Sequence, residues 1–261
     1  MNILDQIIEA KKLEIANQKS HVDIEALMQI PEFDRNCNSL KSALLKPGSS
    51  GIIAEFKKKS PSKGEINPNA KVEEVTKAYA NAGAAGISVL TEKNFFGGSQ
   101  ANLVKAREIN PDIPILRKDF MIDPYQIIEA KAYGADVILL IAACLTKNEV
   151  ERLATEARKL GLEIILEVHD EAELEKLNEL VDIVGVNNRD LKTFEVNIET
   201  SVKLAKLIPN QFLKISESGI SSAQSINYLK ENGFNGFLIG ETFMKTQNPG
   251  AACRKLIKEI K

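Results

Sequence analysis

The feature that most constrains the fold is an alternation, from Gly51 onward, between short apolar runs and amphipathic helical patterns. The runs recur at intervals of roughly 20 to 35 residues, which is typical of successive βα units with a parallel sheet. They predict eight strands, at residues 52–56, 86–90, 113–117, 137–141, 163–167, 183–187, 212–217 and 236–239. Because the runs are almost continuously apolar, we expect both faces of the sheet to be covered.

The predicted helices carry start and stop signals. Thr146 and Glu149 have the spacing of a capping box, and the apolar helical pattern that follows ends at Gly161. Ser221 and Gln224 have the same spacing at the start of a later helix. Eight strands, each followed by a helix, favour an α/β fold of the (β/α)8 TIM-barrel type. An open doubly wound sheet is the alternative, but the sequence lacks the GxGxxG turn that favours dinucleotide binding on such a sheet.

Residues 1–50 precede the first predicted strand and have a helix-like sequence, in which Ile3, Leu4, Ile7 and Ile8 share one helical face. We therefore expect a single barrel domain over residues 1–261, with an N-terminal helical extension formed by the first fifty residues. The extension can serve as packing material, as a lid over a site, or as both.

The charge balance excludes several classes of partner. The 261 residues include 34 Lys and Arg against 36 Asp and Glu, a formal net charge of −2, which predicts neither a nucleic-acid surface nor attraction to a membrane. Asp5 and Glu9 interrupt the apolar pattern at the amino terminus, so we expect no signal peptide. No apolar stretch approaches the roughly 20 residues of a membrane span.

The numbers and spacing of cysteine and histidine residues indicate the cellular compartment and whether a metal site is expected. The three cysteines, Cys37, Cys144 and Cys253, have no CxxC spacing, and an odd number argues against a disulfide framework. We therefore expect a reduced, cytoplasmic protein. With only two histidines, His21 and His169, and no cluster of cysteines, we expect no metal site.

Polar side chains recur where the predicted strands end. Because alternate residues of a strand share a face, Glu55 and Lys57 should point one way and Phe56 the other. Alone, such a pair is typical of an exposed ion pair, but most later strands end in the same manner. The later strand-end residues are Thr91, Glu92, Lys118, Asp119, Glu167, Asn187, Arg189, Glu217, Ser218, Gly240 and Glu241. In a barrel these ends meet at one mouth, where the active site lies.

The last two strands predict a phosphate site. The segments SESGIS and LIGETF place Gly219 and Gly240 where a strand gives way to a helix. Backbone N–H groups at helix amino termini bind phosphate, and barrels frequently hold a phosphate after the seventh and eighth strands. Isolated glycines at such positions can also serve only to make tight turns.

Seven segments in order, IIAEFKKKSPS, VLTEKNFFGGS, ILRKDF, LEVHD, GVNNRDL, SESGI and LIGETFM, resemble the motif series of the indole-3-glycerol phosphate synthases. The resemblance extends from about Gly51 to Met244, and a helical extension before the barrel also suits that family. It implies a tryptophan-pathway carboxy-lyase. The implied reaction converts 1-(2-carboxyphenylamino)-1-deoxyribulose 5-phosphate into indole-3-glycerol phosphate, carbon dioxide and water, and it requires no cofactor.

The resemblance also implies catalytic roles. Lys118 is expected to be the general acid in ring closure, and Glu167 the general base in the dehydration. Lys57 is expected to hold the substrate carboxylate or phosphate, or to supply a proton when the hydroxyl departs. Glu55 and Asn187 are expected to orient the lysines and the ribulose hydroxyls. The sequence leaves open whether burial or the nearby lysines dominate the pKa of Glu167.

The remaining implied contacts concern the two ends of the substrate. The apolar wall for the aromatic ring is expected from Phe96, Phe120, Leu139 and Leu191, with Phe95 as the alternative to Phe96. Further substrate contacts are expected from Ser60, Arg189 and Glu217, although Arg189 can equally be a structural ion-pair partner. The phosphate is expected to contact Lys57, Ser218, Gly219, Gly240 and Glu241, the last through its backbone N–H.

Two other functions compete with this interpretation. A phosphoribosylanthranilate isomerase-like barrel would resemble a family that uses a cysteine and an aspartate as its acid and base, whereas the first strand here ends in Glu55 and Lys57. A non-catalytic phosphate-binding barrel would not need Lys118 and Glu167 together. We expect a monomer that binds a small anionic substrate, with other tryptophan-pathway enzymes as possible partners.

Overall fold

The computed structural model describes residues 2–191 and 193–260, so the predicted domain limits at residues 1 and 261 lie outside it. Eight parallel strands close into a barrel, which confirms the predicted fold class. They are β1 (Ile52–Phe56), β2 (Gly86–Leu90), β3 (Ile115–Lys118), β4 (Val137–Ile141), β5 (Glu163–Val168), β6 (Ile183–Asn187), β7 (Leu213–Glu217) and β8 (Gly236–Ile239). Each strand pairs with its neighbours in chain order, and β8 pairs with β1, with Phe237 opposite Ile52.

Predicted and observed strands differ only at a few ends. The third strand begins at Ile115, two residues later than predicted, because Pro114 has no N–H to donate to the ladder. The fifth strand continues one residue further, to Val168. Phe212 donates its N–H to the carbonyl of Pro209 in the preceding turn, so the seventh strand starts one residue later than predicted.

Helices surround the barrel. They are α1 (Ile3–His21), α2 (Ile24–Met28), α3 (Leu40–Leu45), α4 (Val72–Ala82), α5 (Gln100–Ile109), α6 (Pro124–Ala132), α7 (Lys147–Lys159), α8 (Glu199–Ala205), α9 (Ala223–Glu231), α10 (Glu241–Met244) and α11 (Pro249–Glu259). Short 3-10 helices lie at Pro31–Asp34, Ala142–Cys144 and Ala172–Lys176, and a two-stranded hairpin joins Lys59–Ser60 to Gly64–Glu65. Within the described part of the chain, no helix is both long enough and apolar enough to cross a membrane.

We expect a helix after every strand, but β5 is followed only by a five-residue 3-10 helix, Ala172–Lys176. Asn178 follows it and accepts the N–H of Leu180 on its own side-chain oxygen. Such local hydrogen bonds offer the backbone an alternative to helix, which explains why the helical pattern stops early here.

One predicted capping box is confirmed and the other is displaced. Glu149 donates its backbone N–H to the hydroxyl of Thr146 at 3.3 Å, as predicted. The box predicted at Ser221 lies one residue later, where Ser225 donates its N–H to the hydroxyl of Ser222 at 3.2 Å. Ser222 has the extended backbone of an N-cap, and serine at the third helical position supplies the reciprocal acceptor.

The barrel interior is packed and is closed at its amino end. Its inward-facing apolar side chains are Ile53, Leu116, Val137, Leu139, Ile141, Ile165, Ile183, Ile215 and Leu238. Helix α3 presses Leu40 and Leu44 against this end. A Cβ on Gly86 would lie 2.7 Å from Leu40, and one on Gly236 would lie 3.0 Å from Leu44, so a larger residue where β2 or β8 begins would force the leucine of α3 to shift. Only the carboxyl end is therefore left to form a site.

The N-terminal segment is fixed to both ends of the barrel. Lys11 of α1 forms a buried ion pair with Asp119, directly after β3, at 2.9 Å. Arg35 pairs with Asp136, at the amino end of β4, at 2.8 Å. The segment therefore runs from the mouth of the barrel to its base, where α3 plugs it.

Candidate active site

One cavity opens at the carboxyl end of the barrel. Every residue predicted for the site lines it: Glu55, Lys57, Ser60, Phe96, Lys118, Phe120, Leu139, Glu167, Asn187, Arg189, Leu191, Glu217, Ser218, Gly219, Gly240 and Glu241. Strand alternation explains the convergence, because the inward-facing positions of each strand repeat every second residue up to its end. The described residues contain no group of three or more His, Cys, Asp and Glu side chains that could hold a metal ion.

Glu55 and Lys57 point to the same side of β1, as their spacing predicts. Their side chains form an ion pair at 2.7 Å, and the carboxylate is buried. The carboxylate lies against the end of β8, where a Cβ on Gly240 would come within 2.5 Å of Oε1 of Glu55. Glycine is therefore needed there to leave room for the acid.

Lys118 occupies the centre of the cavity. Its Nζ donates to Oε2 of Glu167 at 2.6 Å and to Oε2 of Glu217 at 2.8 Å. Burial alone lowers the pKa of a lysine, but the charges of Glu167, Glu217 and Glu55 outweigh it, so the pKa of Lys118 is raised. The amine is therefore fully protonated at neutral pH.

The two carboxylates that share Lys118 have opposite pKa shifts. Burial raises the pKa of Glu167, but Lys118, His169 and the amide of Asn187 outweigh it, and the pKa is lowered. For Glu217, burial dominates the attraction of Lys118, and repulsion by Glu167 adds to it, raising the pKa to about 7. Neighbouring acids whose environments drive their pKa values apart are a signature of acid–base sites.

Each carboxylate is held differently. Oε1 of Glu167 accepts the side-chain N–H of Asn187 at 3.0 Å, so both of its oxygens are engaged. Oε1 of Glu217 is buried and has no hydrogen-bond partner among the described residues. It lies over Gly185, where a Cβ would come within 2.6 Å of it.

An apolar wall borders the charged centre. The rings of Phe96 and Phe120 lie 6.1 Å apart and are tilted by 41°, and Leu139 and Leu191 also line the cavity. The sequence could not distinguish Phe96 from Phe95, and Phe96 is the one that lines the cavity. The wall continues into α1 through Ile3, Leu4 and Ile7.

The loops after β7 and β8 form the opposite side. Ser218 and Gly219 both have positive φ angles, 69° and 75°, and Glu241 begins α10. The first N–H groups of a helix have no partner within it and are available to a ligand. The carboxylate of Glu241 lies 3.7 Å from Arg189, and the buried hydroxyl of Ser60 has no hydrogen-bond partner in the described chain.

Some strand-end residues have structural roles instead. Glu92 lies outside the cavity and accepts the backbone N–H groups of Asn94, Phe95 and Phe96, which shapes the loop after β2. Thr91 donates to Asp119 at 2.6 Å. Asp119 borders the cavity but is occupied by the ion pair with Lys11, and its pKa is lowered because Lys11 and Arg117 outweigh burial.

Comparison with known proteins decides the family. The family model described as indole-3-glycerol phosphate synthase matches residues 4–256. The chain belongs to this family. An indole-3-glycerol phosphate synthase from Bacteroides thetaiotaomicron is 46% identical over 259 residues, covering 99% of both chains. One from Polynucleobacter asymbioticus is 42% identical over 264 residues, covering 98% of both. The resemblance inferred from the seven segments is thereby confirmed.

Solved structures that resemble this member of the indole-3-glycerol phosphate synthase family share its fold. The 3-hexulose-6-phosphate synthase from Salmonella typhimurium matches with a TM-score of 0.65 at 14% identity, covering 80% of this chain and 98% of that one. A chain of the tryptophan synthase complex from Pyrococcus furiosus matches with a TM-score of 0.57 at 13% identity, covering 81% and 97%. At these identities the likeness supports the barrel alone.

Sequence reasoning missed two parts of this synthase-family site. The first is the contribution of α1 to the cavity wall. The sequence predicts one face of Ile3, Leu4, Ile7 and Ile8 and leaves open whether the extension is packing material or a lid, and the first three of these residues line the cavity. The second is His169, whose imidazole lies 3.3 Å from Glu167. The alternation of β5 carries a signal for it, because residue 169 lies two positions after Glu167 and so follows on the same side.

Proposed function

We propose that the chain catalyses the decarboxylating ring closure of 1-(2-carboxyphenylamino)-1-deoxyribulose 5-phosphate to indole-3-glycerol phosphate, acting as a carboxy-lyase. The observation that carries the proposal is the Lys118 ammonium group between two buried carboxylates, with contacts of 2.6 and 2.8 Å. The name of the relatives, indole-3-glycerol phosphate synthase, supports the same activity.

The substrate has an aromatic ring, a carboxylate and a phosphate, and the cavity offers a suitable surface for each. The ring would lie against Phe96 and Phe120. The phosphate would accept N–H groups from the loops that contain Gly219 and Gly240, a mode of binding for which barrel loops and helix starts are well suited. Lys57 would face the substrate carboxylate and neutralise it.

Ring closure would use the proton of Lys118. The ring carbon that bears the carboxylate attacks the ribulose carbonyl, and Lys118 protonates the oxygen as the new carbon–carbon bond forms. The developing alkoxide is a stronger base than an amine, so donation is favourable despite the raised pKa of Lys118. The carboxylate then leaves as carbon dioxide, and its bonding electrons restore the aromatic ring.

Dehydration would follow with the second lysine and the carboxylate. Lys57 protonates the departing hydroxyl, and Glu167 accepts the proton that the new five-membered ring loses. The attraction of Lys118 is the principal force that lowers the pKa of Glu167. Once Lys118 has given up its proton, that attraction is gone and Glu167 becomes a stronger base.

The 2.6 Å contact would also reset the site. Glu167 returns the proton that it accepted to Lys118, which restores both groups to their starting state. Lys57 takes a proton from solvent. The overall reaction therefore consumes one proton, which balances the negative charge that is lost when the carboxylate leaves as neutral carbon dioxide. The balance requires no electron transfer and therefore no redox cofactor.

We also propose that the chain acts as a monomer. All three cysteines are free thiols, which supports the proposed cytoplasmic location.

The experiment is to incubate the purified protein separately with the carboxyphenylamino substrate and with phosphoribosylanthranilate, while recording indole fluorescence and carbon dioxide release. We expect both signals with the first substrate only. Conversion of phosphoribosylanthranilate without carbon dioxide would instead establish an isomerase. Binding without turnover of either compound would establish a non-catalytic barrel, and either result would overturn the proposal.

A further inference from the structure

A histidine and a second carboxylate lie behind the proposed general base. Nε2 of His169 is 3.3 Å from Oε1 of Glu167, and Nδ1 is 3.2 Å from Oε2 of Glu173. Both side chains that flank the imidazole are largely buried. Neither His169 nor Glu173 lines the cavity, so any effect on the reaction must pass through Glu167.

Glu173 fixes the orientation of the imidazole. Its Oε2 accepts the backbone N–H of His169 at 2.7 Å as well as contacting Nδ1. Glu173 is itself anchored, because its own N–H donates to Asp170 at 3.0 Å. With Nδ1 facing a carboxylate, the hydrogen on that nitrogen is assigned, and the other nitrogen, Nε2, lies 3.3 Å from Oε1 of Glu167.

Two flanking carboxylates favour a charged imidazole. If Nε2 carried no hydrogen, the imidazole would be neutral and its 3.3 Å contact with the Glu167 carboxylate would lose the attraction of opposite charges. If it carries one, the contact is an ion pair, although Nε2 has no aligned hydrogen-bond acceptor among the described residues. Burial lowers the pKa of His169, but Glu167 and Glu173 outweigh it and raise the pKa to about 10.

The other charged groups around Glu167 do not replace this cation during turnover. Lys118 approaches from β3, Glu217 from β7 and Glu55 from β1. The thiol of Cys144, after β4, has a pKa raised to about 12, chiefly by burial, and is neutral. Lys176 donates to the carbonyl of Ala142 at 2.7 Å.

We propose that His169, held by Glu173, is a positioning residue that keeps the carboxylate of Glu167 ionised and oriented while Lys118 is without its proton. The inference rests on the proposed function, in which Lys118 donates before Glu167 accepts. At that moment Glu167 loses its principal counter-ion, and the imidazolium stays in contact with the opposite oxygen. Asn187 shares that oxygen but carries no charge.

The first test measures the titration of His169 by nitrogen NMR on the full chain. Because the only other histidine is His21, a His21→Gln variant assigns the two signals. We expect His169 to be doubly protonated at pH 8 and to titrate near pH 10. In Glu167→Gln the midpoint should fall, since one carboxylate partner is lost. A neutral imidazole at pH 8, or a midpoint unchanged by Glu167→Gln, would overturn the inference.

The second test is kinetic. His169→Gln should lower kcat by about tenfold with KM within about twofold, because an orienting contact is lost while the cavity is unchanged. Glu173→Gln should lower kcat in the same direction, whereas the exposed Glu175→Gln, from the same 3-10 helix, should have no effect. The double variant His169→Gln/Glu167→Gln should be no slower than Glu167→Gln alone, a result that a merely structural role would not produce.

The outcomes separate this inference from the proposed function. If Glu167→Gln retains turnover, the proposed role of Glu167 is wrong and the inference falls with it. If Glu167→Gln is inactive but His169→Gln keeps full kcat, only the role of His169 is wrong.

Discussion

Lys118 Nζ lies 2.6 Å from Oε2 of Glu167, although 49 positions separate the two residues in the chain. They come from β3 and β5, which are separated in the barrel by β4. Inward-facing side chains of alternate strands share one layer of a TIM barrel, and this explains how the two strand ends meet. The contact places a proton donor and a proton acceptor side by side in the cavity.

The positive φ of Gly219 allows a direct test of the phosphate loops. A Cβ on Gly219 would collide with Cγ1 of Val196, and the residue has a φ of 75°. Gly219→Ala should therefore displace the loop after β7 and raise KM by about tenfold or more, because the backbone donors move. Steady-state kinetics and competition by inorganic phosphate measure the effect.

Gly161→Ala is the matched control for that variant. Gly161 has a similar φ, 72°, but a Cβ there would meet nothing within 4 Å. We expect it to cost about 1 kcal/mol of stability with KM unchanged. Equal KM values for Gly219→Ala and the wild-type protein would remove the loop after β7 from phosphate binding.

Neighbouring lysines on α1 test how the N-terminal helix is held. Lys11 is 1% exposed and pairs with buried Asp119, whereas Lys12 is 58% exposed and pairs with Glu9. Lys11→Met should lower the free energy of unfolding by about 3 kcal/mol, because Asp119 is left buried with Arg117 as its remaining cationic partner. Lys12→Met should change it by less than about 0.5 kcal/mol.

Urea unfolding of the two variants measures this difference, and KM provides a second readout. Because Ile3, Leu4 and Ile7 belong to the cavity wall, loosening α1 should also raise KM in Lys11→Met. Equal unfolding free energies in the two variants would show that the buried ion pair does not hold the helix.

The raised pKa of Glu217 predicts a pH-dependent stability. Its folded-state pKa of about 7 lies above the ordinary 4.5, so its contribution to stability is fully present below pH 4.5 and is lost as the pH rises through 7. Glu217→Gln mimics the protonated acid. We expect it to raise Tm relative to the wild-type protein at pH 8 and to leave Tm nearly unchanged at pH 5.

Calorimetry at the two pH values makes this measurement, with the exposed Glu175→Gln as the control that should show no such trend. If Glu217→Gln lowers Tm more at pH 8 than at pH 5, the attraction of Lys118 for the ionised carboxylate outweighs the free-energy cost of burying that charge. The pKa of Glu217 would then be lowered and not raised.

Strand alternation made much of the site predictable. Glu55, Lys118 and Glu167 follow apolar runs at inward-facing positions. Their convergence could therefore be predicted from two features alone, the barrel fold and the two-residue alternation of side chains along a strand. The place of Lys11 could not be predicted in this way. Its burial depends on a contact with Asp119 across more than a hundred positions, and no local pattern distinguishes it from exposed Lys12.

Local hydrogen bonds account for two further differences. Helix α9 begins one residue later than predicted, because Ser225 is the reciprocal acceptor of its capping box. The usual sequence signal at that position is glutamate or glutamine. The orientation of the His169 imidazole could not be predicted, because it depends on Glu173, which only the 3-10 turn after β5 brings back to the ring.

The most direct test of the central claim is a comparison of single-turnover rates for the wild-type protein, Lys118→Met and Glu167→Gln with the carboxyphenylamino substrate. The account predicts that each variant binds the substrate and loses at least about a hundredfold in rate, with Lys118→Met blocking carbon dioxide release. Glu167→Gln should release carbon dioxide and stall before the indole forms. Near wild-type indole formation by either variant would contradict the proposed acid–base pair.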